Sequence, residues 1–386
     1  MPGKRKVVIL GSAYPLRGGG IATYNERLAK AFQDNGDDVT IYNFSLQYPG
    51  FLFPGKTQYS DEDPPEGLHI ITKVNSVNPL NWVVVGNEIK NLKPDLLIVR
   101  YWLPFMAPCL GTICGKVRKN KHTKIIAITD NVIPHESRMG DKQFTRYFLK
   151  RVDGFITMSR SVLDDLNTFD KLKPRKFCAH PLYDNFGESV IKKKAIESLG
   201  LDAEFKYLLF FGFIRDYKGL DLLLEALSDE RLRKFPLKLI VAGEFYSDSK
   251  PYYNIIENNK IADLVIMKNE FIPNSDVYKY FCACDLVVQP YKDATQSGVT
   301  QVAYHFDKPM VVSNVGALPE MVPHNVAGYV VNPDKIEIAN SIIDFFENKR
   351  EEEFVKNVKI EKKKYSWENM ISAINALVLE LNQSKK

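Results

Sequence analysis

The sequence predicts an α/β protein built from two doubly wound domains, and three observations point to this fold class. The chain has 386 residues, more than one hydrophobic core normally serves, so two domains are expected. Short, wholly apolar runs alternate with amphipathic stretches, which is typical of parallel strands joined by helices. Glycine-containing loops follow several of these runs, at the edge of a parallel sheet where ligands collect.

The N-terminal half opens with a predicted strand at 6–10, a glycine loop, and a helix from 21 to about 35. Glycine lets the backbone approach a ligand closely, so Gly19 and Gly20 are candidate phosphate-binding residues. A flexible surface loop is the alternative. The glycine spacing is not the dinucleotide fingerprint, which argues against a nicotinamide cofactor.

Further strands are predicted at 39–44, 95–100, 124–129 and 154–158, whereas 45–75 receives no assignment. Asp130 and His135 follow the third of these strands. A carboxylate can orient a hydroxyl, and a histidine can donate a hydrogen bond to a phosphate or sugar, so both are catalytic candidates. Polar residues that only form a turn are the alternative.

The Pro, Gly and Asn content of 179–187 is typical of a linker. The predicted organisation is therefore a first domain over 1–185, a second over 186–365, and a C-terminal helix over 366–386 that can pack back on the first domain.

The second domain begins with a predicted strand at 207–211 and a loop that carries Arg215 and Lys218 before the next helix. Two cations at the carboxyl end of a strand are placed where a departing diphosphate needs positive charge. An exposed basic loop without a ligand is the alternative.

A second anion site is predicted near residue 298. The apolar run 286–288 ends at Pro290, and a polar loop leads to Ser297 and a helix with an apolar face. The N–H groups of this helix's first turn and the helix dipole would attract a phosphate. The candidate residues are Ser297, Gly298, Val299 and Thr300. The alternative is that Ser297 only caps the helix.

The order of loop, helix, Lys308-Pro309 and the stretch VGALPE resembles the nucleotide-sugar site of retaining glycosyltransferases of family 4. The residues on matching positions are Gly298, Thr300, Gly316, Glu320, Arg215 and Lys218. The resemblance covers nearly the whole chain and is strongest over 205–335. It implies the GT-B fold, an α/β architecture of two Rossmann-like domains facing across a cleft.

The family usually carries two glutamates eight positions apart in this segment. This chain has Ala294 and Val302 at the corresponding positions. Roles that depend on those acids therefore do not transfer to this protein.

The resemblance implies transfer of a hexosyl group from a nucleotide diphosphate sugar to an acceptor hydroxyl with retention, in cell-surface polysaccharide or glycolipid assembly. It implies a UDP-sugar in preference to a GDP-sugar, a glycan or lipid-linked acceptor, and no metal or other cofactor. Gly19 and Gly20 would approach the donor diphosphate, whereas Glu244 and the backbone at Ile272 would border the base.

Composition narrows the class of partner. The formal charge of +5, from 52 basic and 47 acidic residues, suits an anionic small substrate or a membrane surface. Nucleic acid is disfavoured because no long basic block exists. Five cysteines without metal-ligand spacing and no signal peptide predict a cytoplasmic protein, with peripheral association at the inner membrane face left open.

Two other functions remain open from the sequence. The missing glutamates fit a non-catalytic nucleotide-sugar-binding partner. A sugar-nucleotide epimerase of the same architecture would need acid and base carboxylates, for which Asp130, Glu136 and Glu244 are candidates.

Overall fold

The computed structural model describes residues 4–17, 20–50, 57–60, 63–133, 138–294 and 297–383. The chain divides into two compact units. The first comprises Met1–Pro181 with Ser366–Lys386, and the second comprises Leu182–Tyr365. The boundary thus follows Pro181, against a predicted boundary after residue 185, and the last helix groups with the N-terminal residues.

The first unit contains a parallel sheet of seven described strands. They are β1 (Lys6–Leu10), β2 (Asp38–Leu46), β3 (His69–Asn75), β4 (Leu96–Tyr101), β5 (Lys124–Thr129), β6 (Gly154–Thr157) and β7 (Arg175–Phe177). Their order across the sheet is β3-β2-β1-β4-β5-β6-β7. Strands β4 and β5 are buried along their whole length, as expected for parallel strands covered on both faces.

The second unit contains a sheet of six described strands. They are β8 (Lys206–Phe211), β9 (Leu237–Ala242), β10 (Val265–Lys268), β11 (Leu286–Gln289), β12 (Met310–Ser313) and β13 (Gly328–Val331). The order is β10-β9-β8-β11-β12-β13, with all pairs parallel. The direction of winding reverses between β8 and β11, so this sheet has its topological switch point there.

The described helices flank these strands. They are α1 (Ile21–Asp34), α2 (Pro79–Leu92), α3 (Ala107–Val117), α4 (Asp141–Leu149), α5 (Arg160–Phe169), α6 (Lys192–Ser198), α7 (Leu220–Ala226), α8 (Lys250–Asn258), α9 (Val277–Ala283), α10 (Gly298–His305), α11 (Leu318–Met321), α12 (Lys335–Glu347), α13 (Glu351–Glu361) and α14 (Trp367–Gln383). Among the described helices, none is both long and apolar enough to cross a bilayer.

Helix α14 packs within the first unit. The ring of Trp367 lies 5.1 Å from that of Tyr24 in α1, and Asn375 accepts a hydrogen bond of 2.8 Å from Arg5. Lys124 of β5 donates to the carbonyl of Leu381 at 3.3 Å. Aromatic packing near the start of this helix and polar contacts further along it explain why these residues group with the N-terminal unit.

Several described elements differ from the sequence prediction. Strand β3 and helix α13 form in stretches, 45–75 and 348–364, for which no element was predicted, and the same holds for α2, α6 and α8. The apolar run 330–333 predicts a last strand, and β13 begins two residues earlier, at Gly328, which pairs with Met310. In α13 only Phe354 and Val358 are buried, so its apolar stripe is too sparse to be recognised from the sequence.

Candidate functional site

Two loops meet at the switch point of the second sheet. One follows β8 and the other follows β11. The main chains touch directly: a Cβ added to Gly219 would lie 2.0 Å from the Pro290 carbonyl oxygen, and the N–H of Lys292 donates to the Tyr217 carbonyl at 2.7 Å. Gly219 also has φ +67°, a conformation that favours glycine. The two loops therefore form one continuous surface.

Lys218 and the first turn of α10 both border Gly212 on this surface. A Cβ added to Gly212 would lie 3.1 Å from the Lys218 Nζ and 3.7 Å from a methyl carbon of Val299. The Lys218 Nζ is also 5.7 Å from the centre of the Tyr291 ring. The structure thus brings together two predicted site residues, Lys218 and Val299, from distant parts of the sequence.

The surroundings of Lys218 disfavour its protonated form. Burial lowers its pKa to about 7, and the nearby Arg215 guanidinium contributes in the same direction. The residue as a whole is half-buried. An anion bound nearby would raise this pKa again and restore the charge of Lys218, because a nearby negative charge favours the protonated form.

Arg215 is exposed and rests against an aromatic stack. Its guanidinium carbon lies 5.0 Å from the centre of the Tyr246 ring. The Tyr246 ring is 4.3 Å from Phe213, which in turn is 6.3 Å from Phe271. A guanidinium over an aromatic face is held by a cation–π attraction. Tyr246 could not be identified from its sequence context, because its role depends on this stacking.

No described side chain caps the N-terminus of α10. Ser297 has the extended backbone of an N-cap residue, with φ −132° and ψ 121°, yet its side chain caps no N–H among the described residues. Its hydroxyl donates instead to Oε1 of Gln289 at 2.6 Å, and the Thr300 hydroxyl donates to the same oxygen at 3.2 Å. The alternative that Ser297 caps the helix is therefore wrong.

Gly298 is enclosed by the start of the second unit. A Cβ at this position would lie 2.9 Å from Cε2 of Tyr183, a buried residue. No real Cβ tolerates such a distance without movement, so Tyr183 as well as backbone access requires glycine here. Neither Tyr183 nor Gln289 was a predicted site residue; a glutamine ending an apolar strand was the one signal available.

Glu244 and Ile272 lie at the same sheet edge, after β9 and β10. Both are buried, and the Glu244 carbonyl accepts a hydrogen bond of 2.8 Å from the N–H of Ile214. A Cβ added to Gly243 would lie 2.1 Å from the Gly212 carbonyl oxygen. The loop that carries Glu244 thus packs on the loop that carries Arg215, and a role beside a base stays a prediction.

The first unit holds Asp130 and Gly20. Both carboxylate oxygens of Asp130 accept from Arg100, at 2.7 and 2.8 Å, and the Arg100 guanidinium carbon lies 3.7 Å from the Tyr24 ring centre. This arrangement suits Asp130 to orienting Arg100, and its catalytic role stays a prediction. Gly20 begins α1 with φ +54°. Gly19 and His135 lie outside the described residues.

The second unit therefore presents cations and an uncapped helix N-terminus at the switch point of a doubly wound sheet, which defines the class of proteins that bind phosphorylated ligands there. The family profile described as "Glycosyl transferases group 1" matches residues 191–364, and that of "Glycosyltransferase Family 4" matches residues 18–179. Together these matches span most of the chain, which belongs to the family 4 glycosyltransferases of group 1 and has their GT-B fold.

Individual proteins that resemble this chain are also glycosyltransferases. An uncharacterized glycosyltransferase of Methanocaldococcus jannaschii is 21% identical over 97% of this chain and 98% of its own. A glycosyltransferase from Rickettsia africae has a similar structure, with a TM-score of 0.73, 15% identity and 98% of each chain covered. HepE of Anabaena, solved in complex with UDP, gives a TM-score of 0.72 at 16% identity, with 98% of this chain and 100% of HepE covered.

Proposed function

We propose that this glycosyltransferase moves a hexosyl group from a UDP-sugar to a hydroxyl of a glycan or lipid-linked acceptor, with retention at the anomeric carbon. The observation that carries the proposal is the convergence of Lys218 and the first turn of α10 at the switch point of the second sheet. A nucleotide diphosphate placed there would face the N–H groups of the first turn of α10 and the Lys218 ammonium group, which the nearby negative charge keeps protonated.

The chemical difficulty in such a transfer is departure of the diphosphate. Negative charge develops on the leaving phosphate, and fixed donors aimed at that charge lower the barrier. Arg215, Lys218 and the N–H groups of α10 would supply those donors. Retention would then follow from attack on the same face of the sugar, with the leaving phosphate accepting the proton of the acceptor hydroxyl.

The preference for UDP rests on the comparison with HepE, whose crystal structures contain UDP, UDP with glucose, and UDP-glucose. To test it, UDP-sugars and GDP-sugars are compared by thermal shift. A ligand at one hundred times its dissociation constant should add about 2.7 kcal/mol of stability. Equal or larger shifts with the GDP-sugars would overturn the preference.

We also propose peripheral association with the inner membrane face, as suits a lipid-linked acceptor. Helix α4 exposes Phe144, at 46%, and Tyr147 one turn later, at 37%, and the Arg151 guanidinium carbon lies 5.3 Å from the centre of the Tyr147 ring. Aromatic and basic side chains on one surface favour anionic lipid. The protein should sediment with phosphatidylglycerol vesicles better than with phosphatidylcholine vesicles, and Phe144→Glu should reduce this. Equal sedimentation with both vesicle types would contradict the proposal.

A second candidate is a non-catalytic nucleotide-sugar-binding partner. It is favoured by Ala294 and Val302, which stand where the family's glutamates are expected and are both buried. An epimerase has less support, since both Asp130 oxygens are engaged by Arg100. Release of UDP only in the presence of an acceptor would support transfer. Binding without turnover across an acceptor panel would support the non-catalytic function.

A further inference from the structure

We propose that Gln289 is a positioning residue, which keeps the first N–H groups of α10 available to the donor diphosphate by holding the Ser297 hydroxyl away from them. This inference rests on the proposed function, because it concerns how the same site binds its donor.

Gln289 ends β11 and is only 1% exposed. Its Oε1 accepts hydrogen bonds from the hydroxyls of Ser297 at 2.6 Å and Thr300 at 3.2 Å. One amide oxygen therefore connects the end of the strand to the N-cap and to the first turn of the helix. All three side chains are buried, so these bonds are shielded from competing water.

The same chain contains a serine that does cap a helix, although its hydroxyl also lies 3.1 Å from the Ser161 hydroxyl. Ser159 precedes α5 with φ −138° and ψ 155°, close to the backbone of Ser297, and its hydroxyl accepts from the N–H of Val162 at 3.2 Å. That is the usual N-cap bond to the third helical residue. Ser297 has a suitable backbone for the same bond, yet its hydroxyl is directed to Gln289.

The difference matters for an anion. A capping serine occupies the N–H of the second or third helical residue, here Val299 or Thr300. Those N–H groups are the ones that a phosphate at a helix N-terminus uses. The bond to Gln289, at 2.6 Å, holds the Ser297 hydroxyl where it makes no cap bond among the described residues, and so leaves these N–H groups to an anion.

Gln289 does this at a cost to stability. Its Nε2 is buried and has no hydrogen-bond partner among the described residues, and an unsatisfied buried donor is unfavourable. A residue retained only for folding would be better replaced by an apolar one of similar size. Leucine at this position should therefore keep the fold and leave the Ser297 hydroxyl with only its longer contact to the Tyr291 hydroxyl, at 3.4 Å, so that it can turn to cap α10.

The test uses Gln289→Leu, Ser297→Ala and the double variant in the full chain, with UDP and inorganic pyrophosphate as probes in calorimetry. Gln289→Leu should bind UDP roughly tenfold to hundredfold more weakly, the range for losing one hydrogen bond to a charged group. Its melting temperature should change little, because the unsatisfied Nε2 disappears while the buried Thr300 hydroxyl loses its partner. The double variant should bind UDP more tightly than Gln289→Leu, because position 297 then carries no hydroxyl that could cap the helix.

Ser159→Ala is the matched control: it should lower the melting temperature through loss of a real cap and leave UDP affinity unchanged. Parental affinity in Gln289→Leu, a double variant no tighter than Gln289→Leu, or loss of stability along with affinity would each overturn the inference. A parent that binds neither probe would overturn the proposed donor site itself, and this inference with it.

Discussion

Replacing Lys218 with methionine should remove most of the pH dependence of donor binding. The pKa of Lys218 is lowered to about 7 by burial and by Arg215. With that pKa the protonated fraction falls from about nine-tenths at pH 6 to about one-tenth at pH 8. If only the protonated form binds the diphosphate, the dissociation constant for UDP should rise about tenfold over this range, since apparent affinity scales with the competent fraction.

The assay is calorimetry with UDP from pH 6 to 8, in two buffers of different ionisation enthalpy. The parent should take up a proton on binding near pH 8, and Lys218→Met should take up less. Any slope that remains in Lys218→Met belongs to the phosphate of UDP, which titrates equally in both proteins. Arg215→Met should raise the pKa of Lys218 and move the fall in affinity to higher pH. Equal slopes in the parent and in Lys218→Met would refute the reasoning.

Stability without ligand should show the opposite trend. The folded pKa of Lys218 lies below its ordinary value of 10.5, so the unfolded state holds more protons between about pH 7 and 10.5. The loss of stability caused by Lys218 is therefore complete below pH 7, and it disappears as the pH rises from about 7 to 10.5. The difference in unfolding free energy between Lys218→Met and the parent should be largest near pH 6 and shrink towards pH 10.

Three further predictions concern the surroundings of the site. Gly298→Ala should lower stability by about 1–3 kcal/mol through overpacking against Tyr183. Adding Tyr183→Leu to Gly298→Ala should restore the melting temperature, whereas an unchanged melting temperature in Gly298→Ala alone would contradict the prediction. Val302→Glu should destabilise the protein without raising UDP affinity, because a buried unpaired carboxylate is costly; tighter binding by calorimetry would instead favour the non-catalytic function. Asp130→Asn should lower the unfolding free energy in urea by about 3–5 kcal/mol, because the Arg100 charge loses its carboxylate partner. Asp130→Asn combined with Arg100→Met should lose less, and equal losses in the single and the double variant would contradict this reason.

Much of the second unit could be predicted because its signals are local. The apolar run 286–288 and the helix beginning at Gly298 are separated by a short loop, so hydrophobic pattern and loop chemistry placed the element boundaries. The position of Lys218 before a helix was visible for the same reason. Elements with a weak pattern were missed: β3 has only one fully buried residue, Val74, and α13 has two.

Local signals were sufficient to predict the fold class and the candidate residues Arg215, Lys218 and Gly298, because strand, loop and helix signals lie within a few residues of one another. Which of these residues meet depends on the tertiary fold. The approach of Lys218 to Val299, the contact of Tyr183 with Gly298 and the pairing of Arg100 with Asp130 join segments far apart in the sequence. Sheet order brings such segments together, and that order is set by burial of the whole core, which no local pattern contains.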